Sequence, residues 1–170
     1  MNTVTYRGLL GSLFLVASLA GSTAPALAQT LSITASTKER TMNNIDIAKA
    51  YIKAVQTNDQ ATLGSLISPD VIWHQPGNNQ FSGMHRGMAK VGPMLGKMTE
   101  ASKGTFAITR ADHYMANGDW VAITIEFVGE RDSLKLKQPG VDLIRIEGGK
   151  IVEVRLFSSD QAQEDAFWGR

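Results

Sequence analysis

Val141-Asp142-Leu143-Ile144-Arg145-Ile146-Glu147-Gly148-Gly149-Lys150-Ile151-Val152-Glu153-Val154-Arg155-Leu156-Phe157 is the stretch that decides how this chain folds. Two runs rich in β-branched residues flank the Gly148-Gly149 pair. Paired glycines supply the positive φ angles that a tight hairpin needs, so the pattern predicts antiparallel strands over Leu134–Glu147 and Lys150–Phe157. Residues two apart on a strand share a face, which puts Asp142 beside Ile144 and Ile146 on one apolar side. A carboxyl on such a face loses hydration and favours its protonated form. A partner arginine or a backbone cap is the other reading of the same residue.

Upstream, Gly104–Asp112 and Trp120–Val128 also read as strands, with Asn117-Gly118 as a hairpin turn. Leu134-Lys135-Leu136-Lys137 alternates as a half-exposed strand does. Four strands in a meander therefore close the chain. Val71-Ile72-Trp73-His74 reads as a further strand, followed by the turn-rich Gln75-Pro76-Gly77-Asn78-Asn79 and an irregular stretch from Gly83 to Gly87. Ile45, Ala48, Ile52 and Val55 recur at helical spacing behind Asn44, a candidate N-cap. Asp59 opens a second short helix that Pro69 ends, and a third runs from about Met88 to Thr99. Ser158 and Gln161 have capping-box spacing ahead of a last helix ending at Phe167-Trp168. Segregated helices and strands predict an α+β domain, with helices on the concave face of a curved antiparallel sheet and a conical pocket between them.

The 170 residues include no cysteine, 43% are apolar, and the formal charge is +1. That composition supports one domain with a real core. It excludes disulfides, thiolate chemistry and the basic footprint of a nucleic-acid binder. At the N-terminus, Arg7 precedes an apolar run from Leu9 to about Ala20, then Pro25 and the small-x-small site Ala26-Leu27-Ala28. This is the pattern of a secretory signal over 1–28, implying a secreted or periplasmic protein with no membrane anchor after cleavage. Residues 29–43, rich in Ser, Thr and charge, read as a flexible leader to a domain over 44–170.

Several motifs give the chain a resemblance to the NTF2-like superfamily, in particular to SnoaL-like and ketosteroid-isomerase-like proteins. They are Ala48-x-x-Tyr51-x-x-Ala54-Val55-x-x-x-Asp59, Asp70-Val71-x-Trp73-His74-x-Pro76-Gly77, Gly83-x-x-x-Gly87, Asp142-x-x-Arg145-x-x-x-Gly149-Lys150-Ile151-Val152-Glu153-Val154, and Asp160-Gln161. The resemblance implies a cone of three N-terminal helices and a short C-terminal helix on a curved sheet. It does not by itself imply a reaction, because one fold hosts many. In ketosteroid isomerases a tyrosine on the first helix and a protonated aspartate on a late strand form an oxyanion hole, and Tyr51 and Asp142 match them. The family's general base is an aspartate before a proline; here Gln75 stands before Pro76, and glutamine takes no proton at neutral pH.

The candidate catalytic residues are therefore Tyr51, Asp142 and, as a replacement base with a suitable intrinsic pKa, His74. Strand parity turns His74 away from Trp73 and Gln75 unless the Pro76 turn twists it inward. Trp73, Gln75, Phe81, His85 and Trp120 are the candidate pocket lining. Arg145, Glu153 and Arg155 read as a solvated or dimer-facing sheet side with cross-strand ion pairs. Arg131 and Asp132 read as surface charges in a turn. The three histidines have no tight metal spacing, and no cofactor motif is present. Two functional classes follow: proton transfer next to a carbonyl, as in an isomerase or cyclase, or non-catalytic holding of a small hydrophobic molecule. A homodimeric interaction module through the open sheet face is a third.

Overall fold

The computed structural model describes residues 42–170, so the expected signal over 1–28 and nearly all of the leader lie outside the described residues. The element order is α1 (Asn44–Thr57), α2 (Gln60–Leu66), β1 (Ile67–Gln75), β2 (Gly83–Arg86), α3 (Met88–Ala101), β3 (Ala107–Asn117), β4 (Trp120–Arg131), β5 (Leu134–Glu147), β6 (Lys150–Ser158) and α4 (Gln161–Trp168). The α+β class and the three-plus-one helix arrangement stand as the sequence predicts.

Local chemistry sets most boundaries. Asn43, one residue before the expected cap, accepts from Asp46 N at the start of α1, and Asn58 ends that helix in the left-handed conformation. Asp59 caps α2 through Thr62 N. α2 stops at Leu66 rather than at Pro69, because Pro69 lies inside β1, at a break in its ladder with β6. Gly83–Arg86, expected to be irregular, is an edge strand paired with β1. α4 is capped by Asp160, which accepts from Gln163 N; Ser158 instead ends β6 and bonds to Glu164.

The six strands run in the order β2-β1-β6-β5-β4-β3. The sheet is mixed rather than wholly antiparallel, because β1 lies parallel to β6. Strands far apart in sequence can pair in parallel when helical segments carry the chain between them. The meander β3 to β6 is antiparallel throughout, and β4 pairs β5 without a break from Trp120↔Arg145 to Arg131↔Leu134.

The core lies between the inner sheet face and the helices. Val121, Ile123, Ile125 and Phe127 of β4, Ile144 and Ile146 of β5, and Val154 of β6 are buried there against Ile47, Ala48 and Ile52 of α1 and Met94 and Met98 of α3. α4 closes one end. Its Trp168 is fully buried and meets Phe81, Phe106 and Phe167 with ring centroids 5.4, 5.0 and 4.8 Å away. Arg131, read from sequence as a surface charge, donates to the carbonyls of Phe167 and Trp168 and so fastens the end of α4. Asp165 accepts from Asn78 N and Asn79 Nδ2, tying the helix to the β1–β2 turn.

Removing this indole leaves a cavity among three rings. Trp168→Ala is expected to cost about 3–5 kcal/mol, read as a lower urea midpoint with an unchanged slope. A midpoint equal to that of the wild type contradicts this account of how the cone is closed.

Candidate functional site

Tyr51 is carried by α1 three and four residues after Ala48 and Ile47 on its buried face, and it is 3% exposed. Asp142 is carried by β5, two residues before Ile144 on the inner face, and it is 4% exposed. Asp142 is flanked across the sheet by Ile123 and Leu156, so apolar neighbours replace its water on both sides. Burial pushes its carboxyl up to about 7, and the nearby charge of Glu164 adds to the effect. Burial likewise raises the Tyr51 phenol, and a negative charge on Asp142 raises it further. The two acidic hydrogens are thus electrostatically linked inside the cone. Among the described residues no hydrogen bond reaches either group.

The other expected residues divide between the two sheet faces. Trp73 and Gln75 point inward and are buried, with Trp73 Nε1 donating to Gln75 Oε1 at 3.2 Å. Phe81 is buried against Trp168. His85 stands opposite Trp73 on β2, and its Nε2 lies 2.9 Å from the Phe81 carbonyl. These residues share the inner side with Tyr51 and Asp142.

His74 and Trp120 do not. The period of two puts His74 on the outer face, where its Nε2 is 3.0 Å from Glu153 Oε1. The Pro76 turn does not twist it inward. Glu153 also meets Arg155 Nη2 at 2.8 Å and Arg145 Nε at 3.3 Å, the cross-strand ion pairs expected on that side. Burial pushes the Glu153 carboxyl up, but Arg155 and His74 outweigh it and leave it below its ordinary value. Trp120 also faces outward, next to Val121 on the inner side, with the Arg145 guanidinium 5.8 Å from its ring. It borders a shallow apolar hollow with Met115, Ala122 and Leu143.

Two inner polar groups escaped the sequence reading. Glu164 of α4 is 3% exposed, and its carboxylate accepts from Ser158 Oγ, Gln161 Nε2 at 3.3 Å and Trp168 Nε1 at 3.1 Å. Burial raises it, the three hydrogen bonds oppose that, and Asp165 adds to the rise; the net direction is upward. Gln138 of β5 accepts from Asp160 N and Ser159 Oγ, while its buried Nε2 has no partner among the described residues. The polar run Gln161-Ala162-Gln163-Glu164-Asp165 opens the last helix, and the signal available for Glu164 is its spacing three and four residues before Phe167 and Trp168. Among the described residues no group of three His, Asp or Glu side chains is arranged to hold a metal ion.

Comparison with known proteins agrees with this architecture. Residues 48–154 match the family model described as SnoaL-like domain. A crystal structure of a protein of unknown function with a cystatin-like fold from Xanthomonas campestris is 78% identical, covers 76% of this chain and 100% of its own, and superposes with a TM-score of 0.75. An uncharacterised protein of Mycobacterium tuberculosis is 29% identical over 74% of this chain and 95% of its own. IdmH of Streptomyces antibioticus, proposed to be a polyketide cyclase, is 19% identical over 72% of this chain and 99% of its own, with a TM-score of 0.58; it shares the fold.

The raised Asp142 carboxyl has a signature in stability. The folded state keeps a proton that the unfolded chain releases between its ordinary value of 3.8 and about 7. Stability from this group therefore falls as pH rises through that window and levels off above it. At 1.36 kcal/mol per unit, the loss is about 4 kcal/mol. Asp142→Asn is expected to be more stable than the wild type at pH 8, with the advantage shrinking toward pH 4, in paired urea titrations. An advantage independent of pH contradicts the assignment.

Proposed function

Because this chain belongs to the SnoaL-like domain family and has the NTF2-like fold, we propose that it moves a proton beside the carbonyl of a small hydrophobic molecule held in the cone. The observation that carries this reading is the buried Tyr51–Asp142 pair, two groups whose hold on their protons burial strengthens and that lack hydrogen-bond partners among the described residues. A phenol and a neutral carboxyl both donate, and two donors aimed at one oxygen stabilise the charge that develops on an enolate. Water excluded by the aromatic end of the cone strengthens both bonds. Reprotonation at another carbon makes the reaction an isomerisation. Attack of the enolate on a second carbonyl of the same molecule makes it a cyclisation.

The same reading includes export and pairing. Residues 1–28 direct the chain out of the cytoplasm, and the mature domain pairs through its outer sheet face. Met84, Met115 and Phe157, each 54% exposed, give that face apolar surface around the Glu153 ion pairs. A two-fold contact of like faces is the commonest assembly rule.

Deuterium uptake at the α-carbon of 2-tetralone, followed by NMR, tests the chemistry. Tyr51→Phe and Asp142→Ala are each expected to slow exchange by about 10²–10³-fold. Exchange that survives both changes removes the oxyanion role, and tight binding without exchange in the wild type leaves a non-catalytic holder. Full-length chain expressed in a Gram-negative host and recovered from the periplasm is expected to begin at Gln29 and to give a two-chain native mass. A cytoplasmic chain beginning at Met1, or a single-chain mass, refutes the corresponding part.

A further inference from the structure

The proposed chemistry needs a base, and the position before Pro76 is Gln75. Among the described residues the buried carboxyl groups are Asp142, Glu153 and Glu164. Glu153 faces outward with His74 and two arginines. Asp142 is the acid. Glu164 remains, and it stands close by: its partner Ser158 pairs with Gly140, the inner-face residue one step along β5 from Asp142. A same-face step on a strand is about 6.6 Å. Gly140 brings no side chain to that step, and a Cβ there would meet the Phe157 carbonyl at 2.6 Å and the Phe127 ring at 2.9 Å.

We propose that Glu164 of the C-terminal helix is the general base of this site, taking over the proton-abstracting role that Gln75 cannot fill. The assignment rests on the proton-transfer reading above. Hydrogen bonding decides which of two neighbouring acids carries the proton. Glu164 has three donors, Ser158, Gln161 and Trp168, and donors favour the charged form. Asp142 has none among the described residues, so of the two acids it is Asp142 that favours its protonated form. One carboxylate and one carboxylic acid side by side are the pair that enolisation requires. The unpartnered Nε2 of Gln138, on the same face of β5 just before Pro139 and Gly140, is an independent sign that a polar acceptor is missing from this end of the cone; a second ligand oxygen supplies it.

The step balances without an outside reagent. A Glu164 oxygen takes the α-proton of a ketone. The broken C–H bond leaves its electron pair in the new C=C bond, and the carbonyl π pair moves onto oxygen, facing Tyr51 and Asp142. The proton on Glu164 exchanges with solvent, and Glu164 then delivers a proton, a deuteron in D2O, back to carbon as the C=C pair re-forms the C–H bond and the oxygen pair re-forms the carbonyl.

The test compares 2-tetralone exchange with binding of 2-naphthol, a stable phenol shaped like the enol. Glu164→Gln is expected to lower exchange by at least about 100-fold while 2-naphthol affinity stays within about threefold. Glu164→Asp is expected to restore part of the rate. Ser158→Ala leaves the carboxylate in place but removes a donor, so it is expected to move the acid limb of the pH–rate profile upward by about half a unit. Groups acting on that limb are Asp142 on β5, Asp165 on α4 and, through Asp142, Tyr51 on α1. Wild-type exchange retained in Glu164→Gln, or an unmoved limb in Ser158→Ala, overturns the base assignment alone. A wild type that neither exchanges nor binds 2-naphthol overturns the proposed function and this assignment with it.

Discussion

The indole of Trp168 joins the C-terminal helix to everything else. It is wholly enclosed by Phe81 from the β1–β2 connection, Phe106 from the segment ahead of β3, and its own neighbour Phe167. Edge-to-face and tilted ring contacts of this kind add directional preference to plain area burial. The ring nitrogen donates to Glu164, so the contact that closes the cone also orients a buried carboxylate. Without that closure α4 is a short polar helix with little reason to dock. With it, Asp165 reaches the Asn78 and Asn79 turn and Arg131 caps the last carbonyls.

Closure makes the interior expensive for polar groups, yet several are kept there. Gln75, Gln138, Asp142 and Glu164 are all nearly inaccessible. A fold optimised only for stability would replace them with apolar residues of similar size. Two of these groups, the Asp142 and Glu164 carboxyls, are pushed above their ordinary range by burial. The outer face shows the contrast. Glu153 is also largely covered, but a histidine and two arginines meet it, and its carboxyl stays below its ordinary value.

Much of this was readable in advance because it depends on short-range rules. Asp59 and Asn58 punctuate the helices through local hydrogen bonds and a left-handed turn. The Gly148-Gly149 hairpin starts the β5–β6 ladder, which shifts by one residue between Ile146 and Arg145, and within β5 the period of two sorts Asp142 inward and Arg145 outward. The same parity places Trp73 and Gln75 together and His74 apart. Where the reading erred, a distant partner intervened. Gly83–Arg86 is a strand because β1 offers it an edge, and Pro69 is tolerated in β1 at a break in the ladder with β6. Arg131 is drawn from solvent by the carbonyls at the end of α4.

By itself, the amino-acid order determined most of the elements, the α+β class, the inward placement of Asp142 and an amide rather than a carboxyl before Pro76, since periodicity, capping and residue chemistry act within a few positions. Only the tertiary structure decided that β1 runs parallel to β6, that Trp120 faces outward with Arg145, and that Glu164 lies beside Asp142. Those outcomes depend on which surfaces meet after the chain has turned back on itself. Desolvation and charge proximity, which set the proton affinity of both carboxyls, exist only once α4 has packed against β5.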